Sequence, residues 1–381
     1  MTTESSGSWT RFTTSGDEST RSNIVQSVPL IEFDIVSPSM TGPHEIRTAI
    51  RDEMTTVLIG NERIIDYLSI SLLTRGHILL EGVPGVAKTT IANGFARATG
   101  LDSKRVQMTP DLLPADITGT HVYKEATGEF ELQRGPVFSN LLIADEINRT
   151  TPKTQSALLE AMQEGTVTIE GETMTLPKPF MVVATQNPIE MEGTYELPEA
   201  QRDRFQLKAT VELPNEENEL ALLKRFDDRP TLSPADIERT VSPEDILAAR
   251  ETVAETHVSE SVRRYIRSIV AATRDHPELD YGGSPRASLA FLQVAKAHAA
   301  IHGREYVIPE DVKRMAGPVL VHRLVPNTQA QLDDRTAENV VTEIVADVSP
   351  PSSDAAKSSP TATISEDGGF VEDSDENPDD G

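Results

Sequence analysis

The sequence predicts an α/β domain, built on a parallel sheet flanked by helices, followed by an all-helical domain. Three short runs, at 77–81, 141–145 and 181–185, are almost wholly apolar, as expected for strands buried on both faces of a parallel sheet. Helix-like patterns alternate with these runs as far as about residue 212, which is typical of strands joined by crossover helices. Beyond Pro214 the strand-like runs stop and only helix-like patterns follow.

Composition sets the domain boundaries. Residues 1–42 are rich in Ser, Thr and Gly without a hydrophobic period, so they are predicted to be disordered. The α/β domain is assigned to residues 43–212 and the helical domain to residues 213–330. Residues 331–381 are predicted to form a linker and a disordered acidic tail that ends in VEDSDENPDDG.

Apolar residues at helical spacing, with Pro or polar residues at the starts, predict the individual helices. They are expected at 88–99, 153–164, 215–226, 243–256, 260–274 and 286–302, with another starting at Pro309. Residues 118–135 are predicted to form a β-hairpin with Gly128 near its turn, and residues 166–176 a second hairpin nearby.

Charge and composition exclude several classes of function. With 35 basic and 61 acidic residues the net charge is -26, which repels nucleic-acid backbones and also favours a protein from a salt-rich cytoplasm. No cysteine is present, so disulfides and thiolate chemistry are excluded. Neither a secretory signal nor an apolar run long enough to span a membrane is found, and a cytoplasmic location is expected.

The first chemical motif lies between the strand at 77–81 and the following helix, where glycines let backbone N–H groups surround phosphate oxygens. The predicted phosphate-binding residues are Gly82, Val83, Pro84, Gly85, Val86, Ala87, Lys88, Thr89 and Thr90. Lys88 is expected to reach the β- and γ-phosphates, and the Thr89 hydroxyl to ligate Mg²⁺. Ala87 replaces the glycine of the general motif, and its methyl group fits only where the backbone dihedrals suit alanine.

The second motif is the acidic pair Asp145-Glu146 at the end of the strand at 141–145. Carboxylates there lie at the edge where open α/β sheets bind ligands. We expect Asp145 to hold Mg²⁺ through water and Glu146 to act as the general base on the attacking water. Two motifs in this order predict a site that hydrolyses a nucleotide with ATP and Mg²⁺ as its small-molecule partners.

A third polar position follows the strand at 181–185. Asn187, one strand away from the acidic pair, is predicted to bond the γ-phosphate or the attacking water. The alternative is that Asn187-Pro188 is only a turn.

Six stretches of the chain together resemble the MoxR family of AAA+ ATPases. They are GVPGVAKTT (82–90), TPDLLPADITG (109–119), GPVFSNLLIADEINR (135–149), DEINRTTPKTQSALLEAMQEG (145–165), ATQNPIEMEGTYELPEAQRDRF (184–205) and GGSPRASLA (282–290). The resemblance implies a P-loop core with a five-stranded parallel sheet, a helical lid and a hexameric ring. Alanine is common in that family at the position of Ala87.

The resemblance also assigns two arginines. Arg286 matches the lid arginine that reaches the γ-phosphate and reports nucleotide state. Arg204 matches the arginine finger, which enters the site of the neighbouring subunit and stabilises the transition state. Arg202 is the alternative finger, because an arginine lies on each side of Asp203. Either arginine could instead be a solvated residue at a helix end.

For function, the resemblance implies a ring-shaped motor that remodels or activates partner proteins, often ones with von Willebrand factor A domains, or helps them acquire metal cofactors. The alternatives are the motor subunit of a chelatase and, against the charge balance, a DNA-directed motor. The hairpin at 118–135 matches an insertion that faces the pore or axial surface of the ring. Gln107 is predicted to pair with Glu146 and hold it until a client binds.

Overall fold

The computed structural model of the chain describes residues 42–188 and 195–352. The strands are β1 (Ile78–Glu81), β2 (Ser103–Gln107), β3 (Gly119–Lys124), β4 (Glu129–Arg134), β5 (Leu141–Asp145), β6 (Thr166–Ile169), β7 (Glu172–Thr175), β8 (Met181–Gln186), β9 (Leu207–Thr210), β10 (Leu279–Tyr281) and β11 (Val325–Pro326). The disorder predicted before residue 42 and after residue 352 lies outside the described residues.

The seven predicted helices are present close to their predicted bounds, six further α-helices of the described residues were not predicted, and short 3-10 helices occupy Ile147–Arg149, Pro234–Asp236 and Val321–Arg323. The helices are α1 (Pro43–Thr55), α2 (Glu62–Leu73), α3 (Lys88–Ala98), α4 (Pro114–Thr118), α5 (Pro152–Glu164), α6 (Glu199–Arg202), α7 (Glu216–Asp228), α8 (Pro243–Glu255), α9 (Glu260–Arg274), α10 (Pro285–Ile301), α11 (Pro309–Leu320), α12 (Thr328–Leu332) and α13 (Ala337–Asp347). Within the described ranges, no helix combines the length and apolar character needed to cross a bilayer.

The central sheet has five parallel strands in the order β2-β5-β8-β1-β9, which confirms the predicted fold class. Every residue of β5 is buried, as expected for a strand with neighbours on both sides and helices on both faces. In register, Asp145 lies opposite Gln107 on β2, and Ala144 lies opposite Ala184 on β8. The carboxyl ends of these strands therefore bring the polar residues that follow them to one edge of the sheet.

The helical region extends further than predicted. Residues 331–381 were expected to be linker and tail, but α13 buries Val340, Val341 and Ile344 and packs against α9 and α11. The linker prediction is wrong for this part because an apolar stripe at helical spacing is enough to dock a short helix. The region is also not wholly helical, since β10 and β11 pair within it.

Both predicted hairpins are present. β3 and β4 pair around a turn in which Gly128 has a φ of +71°, and the exposed rings of Tyr123 and Phe130 lie 5.4 Å apart across the strands. β6 and β7 form the second hairpin. The two hairpins are in contact, as the distance of 3.3 Å between His121 Nδ1 and Glu170 Oε2 shows.

A buried histidine makes the fold sensitive to acid. His77 precedes β1, contacts the Met162 carbonyl oxygen at 3.0 Å through Nε2, and accepts a hydrogen bond at 2.9 Å from the Val182 N–H through Nδ1. Burial lowers its pKa from 6.5 to about 4. Between these values the unfolded chain binds a proton that the folded chain does not, so the free energy of unfolding falls as the pH falls.

We expect the buried, neutral state of His77 to lower the free energy of unfolding by about 3 kcal/mol as the pH falls from 6.5 to 4. Urea unfolding at several pH values measures it. The variant His77→Gln should be less stable at neutral pH but should lose less stability on acidification. Parallel pH profiles for the two proteins would contradict this assignment.

Candidate nucleotide site

The loop between β1 and α3 approaches neighbouring backbone closely. A Cβ placed on Gly82 would lie 2.5 Å from the Val211 carbonyl oxygen, so this position has no room for a side chain. Gly85 has a φ of +88°, in the left-handed region that glycine adopts without strain. Sequence and packing thus agree on a tight turn that leads directly into α3, and the N-terminus of a helix after such a turn is an anion-binding arrangement.

Ala87, the residue that departs from the general motif, has a φ of +65° and precedes the first residue of α3. These dihedrals are not ones that alanine prefers, so the alanine is accommodated here at a cost in backbone strain. The left-handed region costs a non-glycine residue about 1–2 kcal/mol. Such strain is typical of functional loops that the surrounding structure holds in place.

Lys88 folds back over this loop. Its Nζ donates to the carbonyl oxygens of Gly82 at 2.6 Å and Val83 at 2.9 Å. Partial burial lowers its pKa, whereas the nearby carboxylates of Glu146 and Asp145 act in the opposite direction. The ammonium group therefore lies between the loop and the acidic pair.

Asp145 and Thr89, the residues predicted to bind the metal, are in direct contact. The Thr89 hydroxyl donates to the Asp145 carboxylate, at 3.1 Å from Oδ1 and 3.2 Å from Oδ2. Asp145 is buried, and it also accepts from Thr185 Oγ1 at 3.1 Å and from Arg105 Nε at 2.6 Å. A hydroxyl and a carboxylate are the hard oxygen ligands that Mg²⁺ prefers, so this pair fits the ion.

Glu146 is held by its backbone and by its side chain. Its φ of +56° is left-handed, and its N–H donates to Thr185 Oγ1 at 2.9 Å. The Gln107 side-chain amide donates to Glu146 Oε2, and Arg149 Nη1 lies 3.1 Å from the same oxygen. The predicted pairing of Gln107 with Glu146 is confirmed. The carboxylate thus has two partners that must release it before it can bind a water molecule.

Asn187 follows β8, the strand between β5 and β1 in the sheet. It is buried, and its backbone oxygen accepts a hydrogen bond at 3.3 Å from Asn148 Nδ2. It therefore lies at the sheet edge between the acidic pair and the phosphate loop, as its predicted role requires.

A pocket next to the phosphate loop was not predicted. It is formed by the loop residues Gly85, Val86, Ala87 and Thr90, by the segment between α1 and α2, and by the segment from Thr210 through α7. Leu58, Ile59 and Phe226 give it apolar walls. Such a surface beside a phosphate-binding loop can hold a flat base. Only tertiary packing brings these segments together, so no local motif marks them.

The two predicted arginines share a different pocket. Arg204 and Arg286 line it together with Arg75, Asp203 and Arg323, whereas Arg202 is not among its lining residues. The pocket also contains Gly76 and His77, which precede β1, while the phosphate loop follows β1. The four residues of β1 span about 13 Å.

This separation is longer than an arginine side chain can bridge. Arg286 therefore does not reach the phosphate loop of its own chain in this arrangement, and its role at a γ-phosphate stays a prediction. Sequence identified the residue, but the side of the sheet on which it lies follows from the packing of α10 on the core. Arg204 and Arg286 instead present two cationic groups side by side on the opposite edge.

Comparison with known proteins defines the class. Residues 77–207 match the family described as ATPase family associated with various cellular activities (AAA), and residues 271–344 match the AAA lid domain. The first range spans four of the five strands of the central sheet and ends at the first residue of β9, and the second covers α10 to α12 and most of α13. Fold and sequence together define an AAA+ ATPase.

The relatives specify the family. The uncharacterized protein YeaC of Bacillus subtilis is 44% identical over 300 residues, covering 79% of this chain and 93% of YeaC. Chaperone MoxR1 of Mycobacterium tuberculosis is 42% identical over 308 residues, covering 78% and 81% of the two chains. A crystal structure of a candidate ATPase from Cytophaga hutchinsonii is 41% identical, with a TM-score of 0.75 over 81% of this chain and 96% of that one. The chain belongs to the MoxR family of AAA+ ATPases.

The close approach at Gly82 gives a direct test of the phosphate loop. Gly82→Ala should weaken ATP binding by about tenfold or more, because relieving a clash with backbone costs about 1–3 kcal/mol and moves the loop. Calorimetric titration with ATP and Mg²⁺ measures the affinity. Gly317→Ala is the control, since the added methyl group meets nothing within 4 Å. Unchanged affinity in Gly82→Ala would show that the loop does not grip the phosphates.

Proposed function

We propose that this protein is a Mg²⁺-dependent ATPase that works as a hexameric ring, with each active site shared by two subunits. This proposal rests on the observation that Arg204 and Arg286 lie at the opposite edge of the sheet from their own phosphate loop. Cationic groups that cannot serve their own site can serve that of a neighbour in a head-to-tail ring. The MoxR family membership supports this assembly.

The residues of one subunit would bind and activate the reactants. The loop N–H groups and Lys88 hold the phosphates, and Thr89 and Asp145 would hold Mg²⁺. The metal, when bound, neutralises charge on the phosphate oxygens. The Glu146 carboxylate accepts a proton from water as the water oxygen bonds to the γ-phosphorus and the bond to ADP breaks. Asn187 orients the water or the γ-phosphate.

The contacts of Glu146 describe a resting state. Gln107 and Arg149 both bond the carboxylate oxygen that would accept the proton. Hydrolysis therefore requires these contacts to loosen, and the chain that follows Gln107 leads through α4 to the β3–β4 hairpin. A client that moves this hairpin would release Glu146 and start turnover.

The work done by hydrolysis is proposed to be chaperone-like remodelling or activation of partner proteins that carry von Willebrand factor A domains, including help with metal insertion. The relative MoxR1 bears the name chaperone, which supports the first part. On this chain, the exposed Tyr123–Phe130 pair on the β3–β4 hairpin offers an apolar contact for a polypeptide. Among the described residues, the nucleotide site has the groups for phosphoryl transfer to water and for no other reaction.

ATP hydrolysis at increasing protein concentration tests the shared site. Specific activity should rise with concentration in step with assembly followed by light scattering, since a lone subunit lacks the arginines at its own site. A purified von Willebrand factor A domain protein from the same organism should raise the rate further. Specific activity that is independent of concentration, in dilute and in salt-rich buffer, would contradict the proposal.

A further inference from the structure

Asp203, between the two candidate finger arginines, is bonded by a residue from the lid. Arg323 Nε donates to Asp203 Oδ1 at 2.7 Å, and the Arg323 side chain is only 3% exposed. Arg323 lies in the short 3-10 helix that follows α11. A lid residue and the segment that carries Arg204 are thus joined by a partly buried, charge-assisted hydrogen bond, which is among the stronger kinds in proteins.

The remaining donors of Arg323 are directed at the same turn. Nη2 donates to the Phe205 carbonyl oxygen at 2.7 Å, and Nη1 donates to the Gln206 carbonyl oxygen at 3.2 Å and to that of Val319. His322 Nε2 also contacts the Phe205 carbonyl oxygen at 2.9 Å. The planar guanidinium therefore holds the Asp203 side chain and the backbone of Phe205 and Gln206, which lie before and after Arg204 in the chain.

The other oxygen of Asp203 faces the residue before the helix that carries the second arginine. Ser284 Oγ lies 3.5 Å from Asp203 Oδ2, and Ser284 precedes α10, whose second residue is Arg286. The loop before Ser284 is fixed as well, because Gly283 N–H donates to Thr273 Oγ1 at 2.8 Å and its carbonyl oxygen accepts from Arg274 Nε at 2.7 Å. Both arginines therefore extend from backbone that is anchored around one carboxylate.

We infer that Asp203 and Arg323 are positioning residues that hold Arg204 and Arg286 as one unit for the phosphates of the neighbouring subunit. This inference rests on the proposed shared site. A buried ion pair by itself is weak evidence for stability, because the cost of desolvating both charges offsets most of their attraction. What the Asp203–Arg323 pair supplies is a fixed relation between the lid and the turn that carries Arg204.

The variants Asp203→Asn and Arg323→Lys test the inference with little change in volume. Neither can reproduce the contacts at 203, 205 and 206 together. We expect kcat for ATP hydrolysis to fall about 10- to 100-fold, because a small misplacement of a catalytic group costs up to about 100-fold. The affinity of the same subunit's own pocket for ATP should not change, since that pocket lies at the other edge of the sheet.

The pair Arg304–Asp311 offers a matched control. It is also a lid arginine bonded to a buried aspartate, with Arg304 Nη1 at 2.6 Å from Asp311 Oδ2, and neither residue lines the arginine pocket. Asp311→Asn should lower the melting temperature as the Asp203 variant does, but kcat of the folded protein should stay at the wild-type value.

A double-mutant cycle separates positioning from folding. Adding Asp203→Asn to the variant that lacks both arginines, Arg204→Ala with Arg286→Ala, should reduce kcat little further, because both groups being positioned are already absent. Mixing Asp203→Asn with Lys88→Ala subunits should restore activity, since mixed neighbours form complete sites. A wild-type kcat in both Asp203→Asn and Arg323→Lys, or a loss from Asp203→Asn that persists in full when both arginines are absent, would overturn the inference. If instead Arg204→Ala itself retains wild-type activity, the proposed shared site fails.

Discussion

Replacing Arg204 with alanine is expected to lower kcat for ATP hydrolysis by about 10³- to 10⁵-fold, the range for loss of an arginine that stabilises phosphoryl transfer. ATP affinity should be unchanged, because Arg204 lies outside the pocket next to its own phosphate loop. Steady-state kinetics and calorimetric titration measure the two quantities. Arg264→Ala is the control, since that side chain is 78% exposed and pairs with Glu260 on its own helix.

Mixed assemblies show where Arg204 acts. Lys88→Ala subunits lack the phosphate-binding ammonium but keep Arg204, whereas Arg204→Ala subunits have the opposite defect. A mixture should recover part of the activity, because some neighbouring pairs combine an intact loop with an intact arginine. If the mixture stays as inactive as its components, the two residues belong to one subunit's site. In that case the proposed sharing is wrong.

Replacing Glu146 with glutamine should lower kcat by about 10²- to 10⁴-fold, the usual contribution of a general base. The amide cannot accept the proton of the attacking water, yet its size preserves the contacts with Gln107 and Arg149 in part. ATP should remain bound and unhydrolysed, so the variant should hold the ring and any client together longer. Size-exclusion chromatography with ATP and phosphate release measure these effects.

Glu160→Gln is the matched control for that experiment. Glu160 is an exposed glutamate on α5, so its loss of charge should leave hydrolysis unchanged. If Glu146→Gln hydrolysed ATP at the wild-type rate, another group would have to take the proton from water. Arg149 could not serve, because a guanidinium has no free acceptor at neutral pH.

Local patterns in the sequence were sufficient for three strands of the central sheet and for the loop and the acidic pair that follow two of them. β5 was predicted residue for residue, because five buried residues followed by a second carboxylate leave little choice of element or edge. The loop before α3 and the acidic pair lie together because both follow parallel strands of one sheet. Such features depend on neighbours in sequence and on a rule of topology.

Other features of the site depend on contacts between distant segments. Arg105 lies two residues before Gln107, on the same face of β2, and donates to Asp145. Its charge alone gave no sign of that partner. The apolar pocket joins residues near 58 to residues near 226, and Arg286 lies beside Arg204 because α10 packs near the start of β1. Helix α13 was missed because the acidic tail beyond it dominated the composition.

Ala87 has a consequence for how the site cycles. A left-handed alanine has fewer alternative backbone conformations than glycine, so the empty loop loses less freedom when a ligand arrives. The cost of the left-handed backbone is met once, when the polypeptide folds. Whenever ATP later replaces ADP, the phosphate-binding loop already has its binding conformation, which favours fast rebinding at low nucleotide concentrations.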